Sequence, residues 1–135
     1  MIASDLHDVG KLAIEKSILD KPGKLTQSEF KIIQKHPYYT RIILQKIEGF
    51  DEITEWASNH HEKLDGSGYP FKLNEKKLDF NSRLMTCLDI YQALREERPY
   101  RKGMTHNESL KILRDMVKNR EIDGYIVEDI DKVLK

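Results

Sequence analysis

Two short strings, Thr26-Gln27-Ser28-Glu29 and Thr105-His106-Asn107-Glu108, constrain the fold of this chain most. In each, the threonine hydroxyl can accept a backbone N–H three residues on while the glutamate reaches back to the threonine N–H, the reciprocal cap that opens an α-helix. Elsewhere apolar residues recur at helical spacing, and no segment alternates long enough to predict a sheet of any size. The chain therefore reads as all-α. Helix is expected from Ile2 to about Val9, stopping at Gly10, and in a short turn over Ser17 to Asp20. The first cap opens a helix to about His36, where Pro37 forces a break or a new start before a helical stretch from Tyr38 to Ile47. Further helices are expected from Glu52 to His61 and from Asn81 to Leu94, the latter with Leu84, Leu88, Tyr91 and Leu94 along one stripe. The second cap opens a helix to about Lys118, and Val127 to Leu134 closes the chain. Gly66-Ser67-Gly68 and the basic stretch Glu96 to Lys102, which contains Pro99, read as loops.

The 135 residues are enough for one domain with a real core, taken as 1–135. Lys and Arg total 23, as do Asp and Glu, so the formal net charge is zero and a broad basic face for DNA is not expected. The single cysteine, Cys87, rules out an internal disulfide and fits a reducing, cytoplasmic setting. Its apolar neighbours make it a buried, inert thiol rather than a nucleophile. No apolar stretch approaches the length of a membrane span, and the N-terminus lacks a signal-peptide layout.

Chemistry enters with the histidines. Two of the five stand side by side, His60-His61, at the head of the string HHEKLDGSGYP. Neighbours on a helix point about 100° apart, a poor fit around one small ion but a good one for two ions, one each. In His7-Asp8, likewise, the imidazole can bind one ion while the carboxylate bridges both. His36, a turn after Ile32 and Ile33, can face the core. Asp89 has Met85, Leu88, Gln92 and Ala93 as helical neighbours, where a carboxylate is costly without a cation or strong hydrogen bonds. Taken singly, each would be an ordinary surface or core residue; the joint pattern makes a site. His106, beside a capping threonine, is expected in solvent and is left out. Four imidazoles and two carboxylates suit two or more divalent transition-metal ions, with iron, manganese or nickel favoured and zinc an option. Such a pair suits phosphate-ester hydrolysis, because the ions activate water and offset charge on the attacking and leaving oxygens.

His7-Asp8-Val9-Gly10-Lys11 resembles the motif that names the HD phosphohydrolase superfamily, and the match extends to its HD-GYP family. The segment from Ile18 to Thr26, His36-Pro37, the string from His60 to Pro70, Asp89 and Arg98-Pro99-Tyr100-Arg101 follow that family's motifs in order over nearly the whole chain. The resemblance implies an HD-type helical bundle and a bacterial phosphodiesterase for cyclic dinucleotides, chiefly cyclic di-GMP, cleaved to the linear dinucleotide and on to GMP. It implies metal roles for His7, Asp8, His36, His60, His61 and Asp89. Asp8 and Lys11 would be catalytic, Lys11 steadying the scissile phosphate. Tyr69, Arg98 and Arg101 would line the substrate site, the arginines meeting phosphate or guanine edges.

Three departures from the family pattern stand out. Its core normally begins with helices upstream of the HD motif that supply a further histidine or glutamate ligand, and only six residues precede His7, so that ligand is expected to be absent. Gln92 stands where an acidic residue is usual, and Thr40 where glycine is common after the His-Pro pair. The missing ligand and Gln92 motivate a second reading, a domain that no longer turns over and binds cyclic di-GMP or a partner such as a diguanylate cyclase domain. A third reading, a general nucleotide phosphohydrolase, is disfavoured by the GYP signature. An upstream regulatory domain and a homodimer through exposed apolar surface are also expected.

Overall fold

The computed structural model describes residues 2–99 and 101–134; Tyr100, part of the basic motif, lies outside the described residues. The helices are α1 (Ile2–Leu6), a 3-10 turn (Val9–Ala13), α2 (Lys16–Leu19), α3 (Gln27–Ile33), α4 (His36–Leu44), α5 (Asp51–Ser58), α6 (Phe80–Arg95), α7 (His106–Lys118) and α8 (Gly124–Val133). One isolated antiparallel bridge, Arg98 to Arg101, is the only β-pairing among the described residues. The all-α reading holds, and both threonine caps form as reciprocal boxes at the starts of α3 and α7. No helix is long and apolar enough to cross a membrane among the described residues.

The chain divides into two compact units, Met1–His61 and Glu62–Lys135. In the first, α4 packs against the 3-10 turn and α5, and α5 packs against α1. Pro37 falls in the first turn of α4, where a missing N–H costs nothing, so it opens the helix rather than interrupting one. Two expected helices end early. The N-terminal one stops at Leu6, and the chain re-enters as a 3-10 turn pressed against α4. A Cβ on Gly10 would overlap the His36 carbonyl oxygen and the Thr40 nitrogen, so only glycine permits this approach. Helix α5 stops at Ser58, short of His60 and His61. There the His60 ring takes the Ala57 carbonyl at 2.6 Å, satisfying a helix-end acceptor without another turn.

In the second unit α6, α7 and α8 pack on one another around Cys87, Tyr91, Leu110, Leu113, Ile122, Ile126, Val127 and Ile130. The expected stripe of α6 is displaced. Leu88 is 36% exposed, while Met85, Cys87 and Tyr91 are buried, because α6 meets both α7 and α8 and buries a broader face turned toward Cys87. Cys87 is fully buried, and burial pushes its thiol up to about 12. His106 is not in solvent: its side chain is 14% exposed, with Nδ1 2.9 Å from the Tyr91 hydroxyl and Nε2 3.0 Å from the Asp131 carboxylate. As the first residue of α7 it is turned toward α6 and α8, and those partners account for its burial.

Candidate metal centre

The centre is built on helix ends. Helix α3 ends at Ile33, whose carbonyl lies 2.8 Å from Nδ1 of His36; near the end of α5 the Ala57 carbonyl lies 2.6 Å from Nδ1 of His60. A carbonyl only accepts, so each Nδ1 carries the ring proton and each Nε2 of the neutral ring presents a lone pair. These two Nε2 atoms face each other at 3.3 Å, in rings whose residues are 2% and 1% exposed. Opposed lone pairs so close repel unless a proton or a cation lies between them. Two nitrogens bound at about 2.0–2.1 Å to one tetrahedral ion would stand about 3.3–3.4 Å apart. The donor set and its spacing therefore fit a metal ion.

Asp8 adds its carboxylate from the turn between α1 and the 3-10 helix. Its Oδ1 is 3.3 Å from Nε2 of His36 and 3.7 Å from that of His60, and its Oδ2 is 3.2 Å from Nε2 of His7 and 3.3 Å from Nζ of Lys11. The two oxygens thus address different partners, the disposition a bridging carboxylate needs. Burial pushes the Asp8 carboxyl up, but without an ion, and with His36 and His7 protonated on the nitrogens that face it, their hydrogen bonds and the charges of His7 and Lys11 outweigh burial and hold the group well below the usual carboxylate range. A cation among the histidines acts in the same direction as those protons. Lys11 is 42% exposed, so its ammonium stands at the edge of the cluster.

The ligand atoms form two sets, each within 4.8 Å: His36, His60 and His61, and His7, Asp8 and His60. His60 belongs to both, whereas the sequence suggested one histidine of the pair for each ion. The 100° helical argument does not apply, because both residues follow α5 rather than lying on it. Past Asn59 the backbone turns, and the two rings come together with centroids 4.1 Å apart, His61 also lying 4.9 Å from His36.

The other expected site residues belong to the second unit. Asp89 is half-buried on α6. Tyr69 is half-buried beside a cis bond to Pro70. The Arg98 guanidinium pairs with Glu96 at 3.1 Å. Arg101 is tied to the end of α6: its Nη2 donates to the Ala93 carbonyl at 3.0 Å and its Nη1 to those of Leu94 and Lys102 at 3.4 Å. Sequence reasoning gave no task to Glu62, which is 1% exposed and accepts from the N–H groups of Phe71 at 2.9 Å and Leu73 at 2.7 Å, fastening the loop that follows the GYP string. Its signal was a carboxylate directly after the two histidines. Thr40, which stands where glycine is common in the family, is fully buried and hydrogen-bonded to the turn that carries His7 and Asp8.

Residues 1–126 match the model of a family described as the HD domain. The chain belongs to the HD-domain family. This HD domain is 44% identical over 125 residues to a 3'3'-cGAMP-specific phosphodiesterase of Vibrio cholerae, covering 93% of the chain and 29% of that relative. It is 37% identical over 111 residues to a cyclic di-GMP phosphodiesterase of Pseudomonas aeruginosa, covering 82% and 27%. It is 34% identical over 116 residues to a cyclic di-GMP phosphodiesterase of Thermotoga maritima, covering 84% and 32%. The GYP string and these relatives put the HD domain in the HD-GYP family. The chain spans about a quarter to a third of the length of these relatives.

Proposed function

We propose that the chain is a metal-dependent phosphodiesterase for cyclic dinucleotides, with cyclic di-GMP as substrate. The observation that carries this is the facing pair of buried Nε2 atoms on His36 and His60, beside a carboxylate held ionised. His7, Asp8, His36, His60 and His61 would hold divalent ions, of which iron, manganese and nickel suit an imidazole-rich set best and zinc also fits; Asp89 would join them from α6. Bound ions would supply an activated water and offset charge at phosphorus. The remaining work belongs to the chain. The Ile33 and Ala57 carbonyls keep the ring protons of His36 and His60 on Nδ1, so both Nε2 atoms stay available. Asp8 is ionised, and its two oxygens face different partners. Lys11, at the edge and 3.3 Å from Asp8, can turn its ammonium to a phosphoryl oxygen as charge develops there. Tyr69, Arg98 and Arg101 would line the substrate site, with Arg101 first having to leave its carbonyls.

Relatives named for 3'3'-cGAMP are as similar as any reported above, so that dinucleotide is the competing substrate. Gln92, exposed on α6 in place of an acidic residue, supports the other reading, a domain that binds the nucleotide or a diguanylate cyclase domain without turnover. The test incubates the manganese- or iron-loaded protein with each dinucleotide in parallel and follows linear product. We expect cyclic di-GMP to be cleaved, and His60→Ala and His61→Ala to lose at least 100-fold in rate. Undiminished rates in both variants would sink the assignment. Faster cleavage of 3'3'-cGAMP would transfer the substrate, and tight binding without product under either metal would establish the non-catalytic reading.

A further inference from the structure

Thr40 lies one turn after His36 on α4 and is fully buried. Its hydroxyl accepts the Gly10 N–H at 2.9 Å and donates to the His7 carbonyl at 3.1 Å. Those two backbone groups bracket Asp8 and Val9. A hydroxyl has one proton, and a threonine inside a helix commonly gives it to the carbonyl four residues back; here it goes to His7. The bracketed turn is also pressed on the α4 backbone so closely that Gly10 admits no side chain. One oxygen atom therefore ties both edges of the turn carrying His7 and Asp8 to the helix carrying His36. The Asp8 carboxylate, 3.3 Å from His36, depends on that tie for its placement.

We propose that Thr40 is a positioning residue for the metal centre, setting the register of the His7-Asp8 turn against His36 through its paired hydrogen bonds. This rests on the metal-centre reading above. Thr40→Val keeps shape and volume but removes the bonds to the buried Gly10 N–H and to the part-buried His7 carbonyl, whereas Thr40→Ser keeps the hydroxyl that makes both. Supporting groups of this kind typically govern metal affinity by 10–100-fold.

The decisive experiment is calorimetric titration of the metal-free chain with manganese, well below every variant's melting temperature. Wild type, Thr40→Val, Thr40→Ser and Leu44→Ala are compared, the last a buried α4 change that loosens packing but removes neither Thr40 hydrogen bond. Amide exchange at Gly10 is followed in the same samples. We expect Thr40→Val to bind about tenfold more weakly and to lose Gly10 protection. Thr40→Ser should stay within about threefold of wild type, and Leu44→Ala should melt earlier with its affinity intact. Wild-type affinity in Thr40→Val, or an equal loss in Leu44→Ala, overturns the role of Thr40 and leaves the metal centre standing. A wild-type chain that takes up no metal overturns the metal centre and the role of Thr40 with it.

Discussion

The two units differ in the balance of what they bury. In Met1–His61 the buried set is dominated by polar groups, His36, Thr40, Thr54, Ser58, Asn59 and His60, with few apolar side chains as large as Leu44. In Glu62–Lys135 the buried cluster is Leu110, Leu113, Ile122, Ile126, Val127 and Ile130 with Cys87 and Tyr91, and the buried polar groups are the smaller set Glu62, Ser82, Thr86 and Ser109. Burying polar groups is favourable only when each finds a partner, whereas an apolar cluster gains with every methylene removed from water. The first unit therefore gives up packing energy to hold a polar cluster, and a bound ion would return part of it; the second is stabilised mainly by packing.

That contrast breaks most sharply at Leu113. Truncation to alanine in a fully buried position should cost about 2–5 kcal/mol, seen in chemical denaturation and as lost amide protection across α6, α7 and α8. A cost below about 1 kcal/mol would mean that the cluster is not the stabilising core described here.

Metal should act on the other unit. Manganese at about 100 times its dissociation constant should add about 2.7 kcal/mol, and chelation should remove it. Exchange protection should rise around residues 7–14, 33–40 and 57–61. A parallel rise in α6 about Asp89 is the signature of that carboxylate joining the ions, and its absence would remove Asp89 from the ligand set. Protection that rises nowhere in the first unit would erase the contrast.

The smallest effect concerns Cys87. Burial raises its folded pKa from 9.0 to about 12, so the folded state disfavours the thiolate. The associated stability is complete below pH 9 and is lost as pH climbs from there toward 12, so ordinary buffers show no change. Native protein at pH 8 should resist iodoacetamide for hours and react at once in denaturant; rapid native alkylation would show that the second unit opens easily.

Much of this was legible in the sequence because it is local. A threonine and a glutamate three residues apart are enough to form a capping box, and both boxes form. His7, Asp8, His36, His60 and His61 converge as their residue types suggested. What escaped depends on contacts across the chain. His106 sits next to its cap, but Tyr91 and Asp131, 15 and 25 residues away, decide its burial. Arg101 looked like a free cation until the end of α6 claimed it. The end of α5 could not be placed, because the side chain of His60 takes over a carbonyl that another helical turn would have used.

That last arrangement has a meaning for anyone moving this centre elsewhere. His36 and His60 each lock the imidazole tautomer with a carbonyl three residues earlier, at or near a helix terminus. The transferable part is thus a cassette of two helix endings, each with its histidine three places on. Grafting the histidines alone onto the middle of another bundle's helices would supply the same atoms with their protons unassigned.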